Sequence, residues 1–185
     1  MTTATKIPGY VAGTWDIDPV HSDVSFTVRH MMVSKVRGRF ATFTGSIVTG
    51  EDITGSEVSA EIDATSITTG NDQRDNHIRS ADFFEVETHP TWTFRSSAVR
   101  EDGGDLFLDG DLTIKGVTRP VSLELEVNGF GPDAYGGTRA GFSAATSINR
   151  NDYGVDIAMP LDGGGVVVGE KIQINLEIEG VLRQS

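Results

Sequence analysis

The chain has 185 residues, a formal net charge of -12, 22 glycines, six prolines and no cysteine. The acidic surplus argues against polyanionic partners, whether a nucleic-acid backbone or an anionic membrane surface. The missing cysteines exclude disulfides, thiolate metal sites and a cysteine nucleophile.

No composition break or Pro/Ser-rich linker interrupts the chain, which predicts one domain over residues 1–185. Met1 to Gly13 holds no apolar run of signal-peptide length, and no stretch approaches a membrane span. The expectation is a cytoplasmic protein without integral membrane insertion.

From Thr14 onward apolar residues recur at every second position, the pattern of strands with one buried face. Trp15 and Ile17 begin it, then Val24, Phe26 and Val28 point one way and Asp23, Ser25, Thr27 and Arg29 the other. His30 continues the inward parity. After Gly38, Phe40 and Phe43 have opposite parity, which predicts a β-bulge near Ala41 or Thr42. Val58, Ala60, Ile62 and Ala64 form the next inward set.

Asn71 to Phe84 breaks the pattern and reads as a short helix. Asn71 is placed to cap it, Asp72 and Asp75 lie where the helix dipole favours negative charge, and Arg79 falls near the other end. Its apolar side is thin, comprising Ile78, Ala81 and Phe84, so it suits a lid or a crossover better than half of a core.

Alternation returns with Trp92, Phe94 and Ala98 inward. Leu106, Leu108, Gly110, Leu112 and Ile114 then turn through Gly116 into Val121, Leu123, Leu125 and Val127, a hairpin pattern. A Gly-rich loop (129–137) precedes Ala140, Phe142, Ala144, Thr146 and Ile148. A second one, Gly163 to Gly165, precedes Ile172, Ile174, Leu176 and Ile178.

The fold class is therefore all-β, with about eight antiparallel strands and one short helix between them. Such strands close into a barrel or stack as a sandwich. Ala60, Ala64, Ala98, Gly110, Ala140, Ala144 and Thr146 are small for inward positions. Either they open a slender lumen, or bulky residues such as Trp15, Phe26, Phe40, Trp92, Phe94 and Phe142 fill the space opposite them.

Four histidines, His21, His30, His77 and His89, show no spacing that would bring two imidazoles to one metal. No nucleophile elbow, P-loop or dinucleotide fingerprint occurs, so neither metal nor cofactor is expected. The unusual polar groups are His30, inward at the end of its strand, and Arg74, Asp75, His77 and Arg79 on the helix. They either pair internally or, together with Lys35, Arg37 and Arg39, meet the polar head of a ligand whose tail lies inside.

Five segments carry a resemblance: D-P-V-H-S (18–22), V-R-H-M-M-V-S-K-V-R-G-R-F (28–40), S-I-T-T-G-N-D-Q-R-D-N-H-I-R-S-A-D-F-F (66–84), L-T-I-K-G-V-T (112–118) and N-R-N-D-Y-G (149–154). In this order they make the chain similar to the YceI-like family. The resemblance implies a lipocalin-like, eight-stranded antiparallel barrel whose lumen takes a long isoprenoid, such as a polyprenyl diphosphate or a quinone tail. Many members of that family carry a secretory leader, which is not expected from the N-terminal stretch of this chain.

The expected function is non-enzymatic binding of a polyisoprenoid lipid for carriage, storage or sequestration. Its tail would lie against Phe26, Val28, Phe40, Trp92, Phe94, Leu108, Leu112 and Phe142, and its head would meet His30, Arg74, His77 and Arg79. A homodimer is compatible with this reading. Two alternatives stand beside it: an enzyme acting on a hydrophobic substrate through His30, Arg74, Asp75 and His77, and an interaction module with a filled core.

Overall fold

The computed structural model describes residues 7–30, 33–156 and 168–184, with side chains throughout except at His30 and Val168. The loop expected at Gly163 to Gly165 lies outside the described residues. Eleven strand segments form one sheet: β1 (Gly13–Ile17), β2 (Asp23–His30), β3 (Ser34–Phe40), β4 (Phe43–Thr49), β5 (Glu57–Asp63), β6 (Ile67–Thr68), β7 (Thr91–Asp102), β8 (Asp105–Ile114), β9 (Val117–Pro132), β10 (Thr138–Asn149) and β11 (Val168–Leu182).

The sheet closes because β11 pairs with both β1 and β2 along one edge. The first six segments thus act as three broken staves, β1 with β2, β3 with β4, and β5 with β6, giving an eight-stranded closed antiparallel barrel. The breaks line up. Ala41 N–H donates to Ser66 O at 3.2 Å and Asp63 N–H to Thr42 O at 3.0 Å, so the interruption of one stave is hydrogen-bonded to that of the next. Where a bulge was expected near Ala41, the strand is interrupted, and both Phe40 and Phe43 still face inward.

Alternation predicts the inward face of nearly every stave. The exception is Ala98, which is exposed. An extra residue in β7 shifts its register against β8 between Ser96 and Ala98, so Val99 takes the inward place. Ser96 Oγ accepts from Val58 N–H at 2.7 Å beside this irregularity. The turn at Lys115 and Gly116 joins Ile114 directly to its partner Val117, and both turn residues have positive φ (53° and 76°), as a two-residue hairpin with this twist requires. The Gly-rich loop is shorter than its composition suggested, because β9 runs on to Pro132 and β10 starts at Thr138.

The helix α1 spans Asp72–Arg79, stopping short of Phe84. Asn71 Oδ1 accepts from Arg74 N–H at 2.9 Å, the expected cap. At the C-terminal end Ser80 leaves the helical conformation, and Phe83 and Phe84 follow in a turn that buries both rings. At the opposite end of the barrel Trp15 is fully buried with Ile47, Ala140 and Phe142, packed against Phe130 and Val11. Trp15 Nε1–H donates to Thr49 Oγ1 at 2.9 Å, so the indole is buried without an orphaned donor.

Candidate functional site

Between the Trp15 cluster and α1 lies a cavity of about 250 Å³. Inward side chains from all eight staves line it, and its surface is apolar almost throughout. An apolar space of about 150 Å³ takes one benzene ring, so this one seats roughly ten carbons, about two isoprene units. A longer tail has to part the side chains around it or extend through an end.

Small residues account for only part of that space. A β-carbon at Gly38 would collide with the ring of Phe26, and one at Gly110 would stand 2.6 Å from Phe94 Cζ. At these two places the glycine is filled from across the ladder. Ala60 and Ala144 do border the cavity, as does Thr146, whereas Ala140 belongs to the packed Trp15 end.

The eight residues expected to hold an apolar tail all line the cavity: Phe26 and Val28 from β2, Phe40 from β3, Trp92 and Phe94 from β7, Leu108 and Leu112 from β8, and Phe142 from β10. Aromatic rings form a continuous row through them. Phe26 lies 5.8 Å from Phe40, Phe40 lies 4.8 Å from Trp92, and Trp92 lies 4.9 Å from Phe84 beside the helix, the last two edge-on.

The polar groups expected at the head end separate into three. Arg74 borders the cavity while Nε donates to Thr69 Oγ1 at 2.7 Å and Nη2 to Thr69 O at 2.8 Å. Arg79 and His77 are not among the lining residues. Arg79 reaches back to the strand, donating to Ile67 O at 2.7 Å and Thr65 O at 3.1 Å. His77 is exposed, bonded to Asp82 at 2.9 Å with its ring edge-on to Phe83. The side chain of His30 lies outside the described residues.

Asp75, one of the four residues named in the enzyme alternative, is buried and accepts from Thr69 N–H at 2.9 Å and Thr69 Oγ–H at 2.5 Å. Thr69 is thus gripped by Asp75 and Arg74 together, which fixes the start of α1 to the end of β6. Lys35, Arg37 and Arg39 stand on the outer face of β3, away from the cavity.

Sequence reasoning missed Arg150, a buried residue bordering the cavity. Its Nε donates to Gly169 O at 3.0 Å and its Nη1 to Val155 O at 2.7 Å, tying the turn 150–153 to the start of β11. The only available signal was its place in N-R-N-D-Y-G. Phe83 and Ile53 also border the cavity and carry no periodicity that would mark them.

A separate polar cluster lies where β1 gives way to β2. Arg139 Nη1 donates to Asp18 Oδ2 at 2.8 Å and Glu179 Oε2 at 2.7 Å, and Nε to Asp133 Oδ2 at 3.2 Å. His21 bonds Asp18 at 2.8 Å. The bonds from His21 and then Arg139 hold the Asp18 carboxyl far below the usual carboxylate range. Asp18, His21 and Glu179 bring three ligand atoms within 4.8 Å of one another, but the guanidinium already supplies the positive charge there. None of these residues borders the cavity. Among the described residues no helix is long and apolar enough to cross a membrane.

Comparison with known proteins agrees with this architecture. The family model for the YceI-like domain matches residues 15–180. Protein YceI of Escherichia coli O17:K52:H18 is 36% identical over 174 residues, covering 92% of this chain and 88% of that protein. The crystal structure of BcnA from Burkholderia cenocepacia superposes with a TM-score of 0.75 at 24% identity, covering 88% of this chain and 98% of that one. A polyisoprenoid binding domain from Saccharophagus degradans gives 0.69 at 19% identity, covering 94% and 100%. With a matching model over most of its length and a relative above one-third identity, this chain belongs to the YceI-like domain family.

Proposed function

We propose that the chain, acting as one domain, binds a polyisoprenoid lipid without chemically changing it, for carriage, storage or sequestration. The observation that carries the reading is the apolar cavity inside the barrel, bounded by aromatic rings and lined from every stave. The name of the Saccharophagus degradans domain supports it at the level of the fold.

Burial of a tail supplies the affinity. Each CH2 removed from water contributes about 0.8 kcal/mol, so about ten enclosed carbons give roughly the 8 kcal/mol of a micromolar complex before ordering costs. Because the wall offers almost no polar surface, a charged head stays outside it, at the α1 end where Arg74 stands. His30, His77 and Arg79 belong to the same end as a second circle of candidates for the head, with Arg79 occupied by backbone carbonyls.

Titration with a polyprenyl diphosphate and an isoprenoid quinone, followed by tryptophan fluorescence, tests this. Trp92 borders the cavity and Trp15 does not, so quenching should disappear in Trp92→Phe and persist in Trp15→Phe. Arg74→Ala should weaken the diphosphate more than the quinone. Saturable turnover of either lipid into a product would favour the enzyme reading instead.

A further inference from the structure

The charge of this protein is segregated. None of its 27 Asp and Glu residues lies between positions 24 and 50, whereas four of its 15 Lys and Arg residues do: Arg29, Lys35, Arg37 and Arg39. All four stand on the β2–β3 hairpin and are exposed; Lys35, Arg37 and Arg39 lie on its outer face, and Arg29, near the tip, also borders the cavity. Arg29 is directly opposite Lys35 in the ladder, and Arg37 and Arg39 continue the row on the same face. Among the described residues none of the four forms an ion pair.

Like charges directly across a ladder repel, and among the described residues no carboxylate comes within ion-pair distance of them. Nothing among the described residues neutralises that row. A partner with dense negative charge does.

The hairpin's position narrows the partner. Its inner face, Val28 and Val36, is part of the cavity wall, so the cations and the cavity share one two-stranded element. Among the described residues β3 pairs with β6 only through Arg39 and Phe40, leaving Val36 to Gly38 without a strand on that side, next to the end covered by α1. At the tip Val33 is 85% exposed. An apolar tip flanked by a row of unpaired cations suits the interface of a bilayer, where the side chain enters the headgroup layer and the cations meet anionic lipids. A nucleic acid would offer nothing for Val33, and its extended phosphate backbone would run on into the acidic remainder of the chain.

We infer that the outer face of the β2–β3 hairpin docks this protein reversibly on anionic lipid bilayers, bringing the α1 end of the cavity to the surface from which its lipid is taken or to which it is returned. The inference rests on the proposed lipid-binding function for its purpose, but docking itself is measured separately. Far from the hairpin, the repulsion between bilayer and carboxylates is screened beyond about 8 Å at physiological salt.

The test is flotation of the full chain with vesicles of phosphatidylcholine alone or mixed with phosphatidylglycerol, at low and high salt. The expected result is binding to the mixed vesicles only, weakened by salt. Removing one cation should cost about fivefold, and Lys35→Gln, Arg37→Gln and Arg39→Gln together about a hundredfold. Val33→Asp should weaken docking further at unchanged fold. Lipid extracted from the same samples should be the same in wild type and triple variant, because these side chains face away from the cavity. Equal binding to neutral vesicles, no binding at all, or an unaffected triple variant would overturn the inference. So would capture of an oligonucleotide by these cations while vesicles are ignored. An empty cavity in protein that still docks would instead count against the proposed function and leave docking standing.

Discussion

The ring of Phe26 lies against Gly38 across the β2–β3 ladder, in the space that a side chain at position 38 would need. Phe26 is also the first member of the aromatic row that crosses the cavity to Phe84. Backbone size at one position therefore sets how far a ring reaches into the lumen. Gly38→Ala should push Phe26 inward and cost about 1–3 kcal/mol of stability, as overpacking does. Urea denaturation reads the cost, and the amount of lipid bound per chain should fall alongside it. An alanine variant with full lipid capacity would mean that the ring yields elsewhere.

The grip on Thr69 predicts the behaviour of the lid. Asp75 is buried and takes both donors of Thr69, and hydrogen bonds to a charged group are worth about 1.5–3 kcal/mol each. Asp75→Ala should raise amide exchange across Asp72–Arg79 and speed lipid release, with little change in exchange of β8 and β9. If β8 and β9 loosened equally, α1 would be integral to the barrel and not a cover over one end.

Acid should destabilise the protein through the cluster around Asp18. Its carboxyl is held far below its ordinary value by His21 and Arg139. Asp133 is lowered by backbone donors of Gly137 and Tyr135, and Asp109 by Arg100 and Ser122. A depressed folded value means stabilisation that is complete above the unfolded value of about 3.9 and is lost as pH falls through and below it. Melting temperature should therefore drop between about pH 5 and pH 2. Asp18→Asn should lower stability at neutral pH and make that acid decline shallower.

Tyr153 predicts an effect at the alkaline end. It is 2% exposed, and its hydroxyl has no hydrogen-bond partner among the described residues. Burial, reinforced by Asp152, pushes its pKa up to about 12. A raised folded value stabilises below the unfolded value of about 10 and is lost as pH rises through the folded one. Tyr153→Phe should flatten that decline, and at neutral pH it should be neutral or stabilising by about 1 kcal/mol, because an unsatisfied buried hydroxyl is removed.

Much of this architecture was readable in the chain because a strand with one buried face repeats every second residue. Leu108, Leu112, Ile172 and Ile174 all announce their side in this way, and Asn71 announces the start of the helix through its capping chemistry. Alternation fails wherever one residue is inserted. Ala98 was placed inside because the extra residue in β7 changes parity without changing composition. The division of three staves into six segments is only partly marked, by the parity change between Phe40 and Phe43, since both halves of each stave keep their apolar face.

At the cavity, long-range partners decided what local pattern could not. For Arg79 the sequence leaves internal pairing and a ligand head both open; the fold holds it on carbonyls of Thr65 and Ile67, and such backbone acceptors leave no mark in a sequence. Arg150 is the converse, a cation in a turn that the fold buries beside the cavity. Whether Gly38 opens space or receives a ring depends on which residue stands opposite, and that is known only once β2 is in register with β3.

The central claim is that the hollow of this barrel holds hydrocarbon. Organic extraction of protein purified without added lipid, followed by mass spectrometry and quantified against protein, addresses it most directly. The account predicts a polyisoprenoid near one molecule per chain, displaced when Phe26 is driven into the lumen. Stable protein that yields no such lipid and takes up none when polyprenyl lipids are supplied would contradict it.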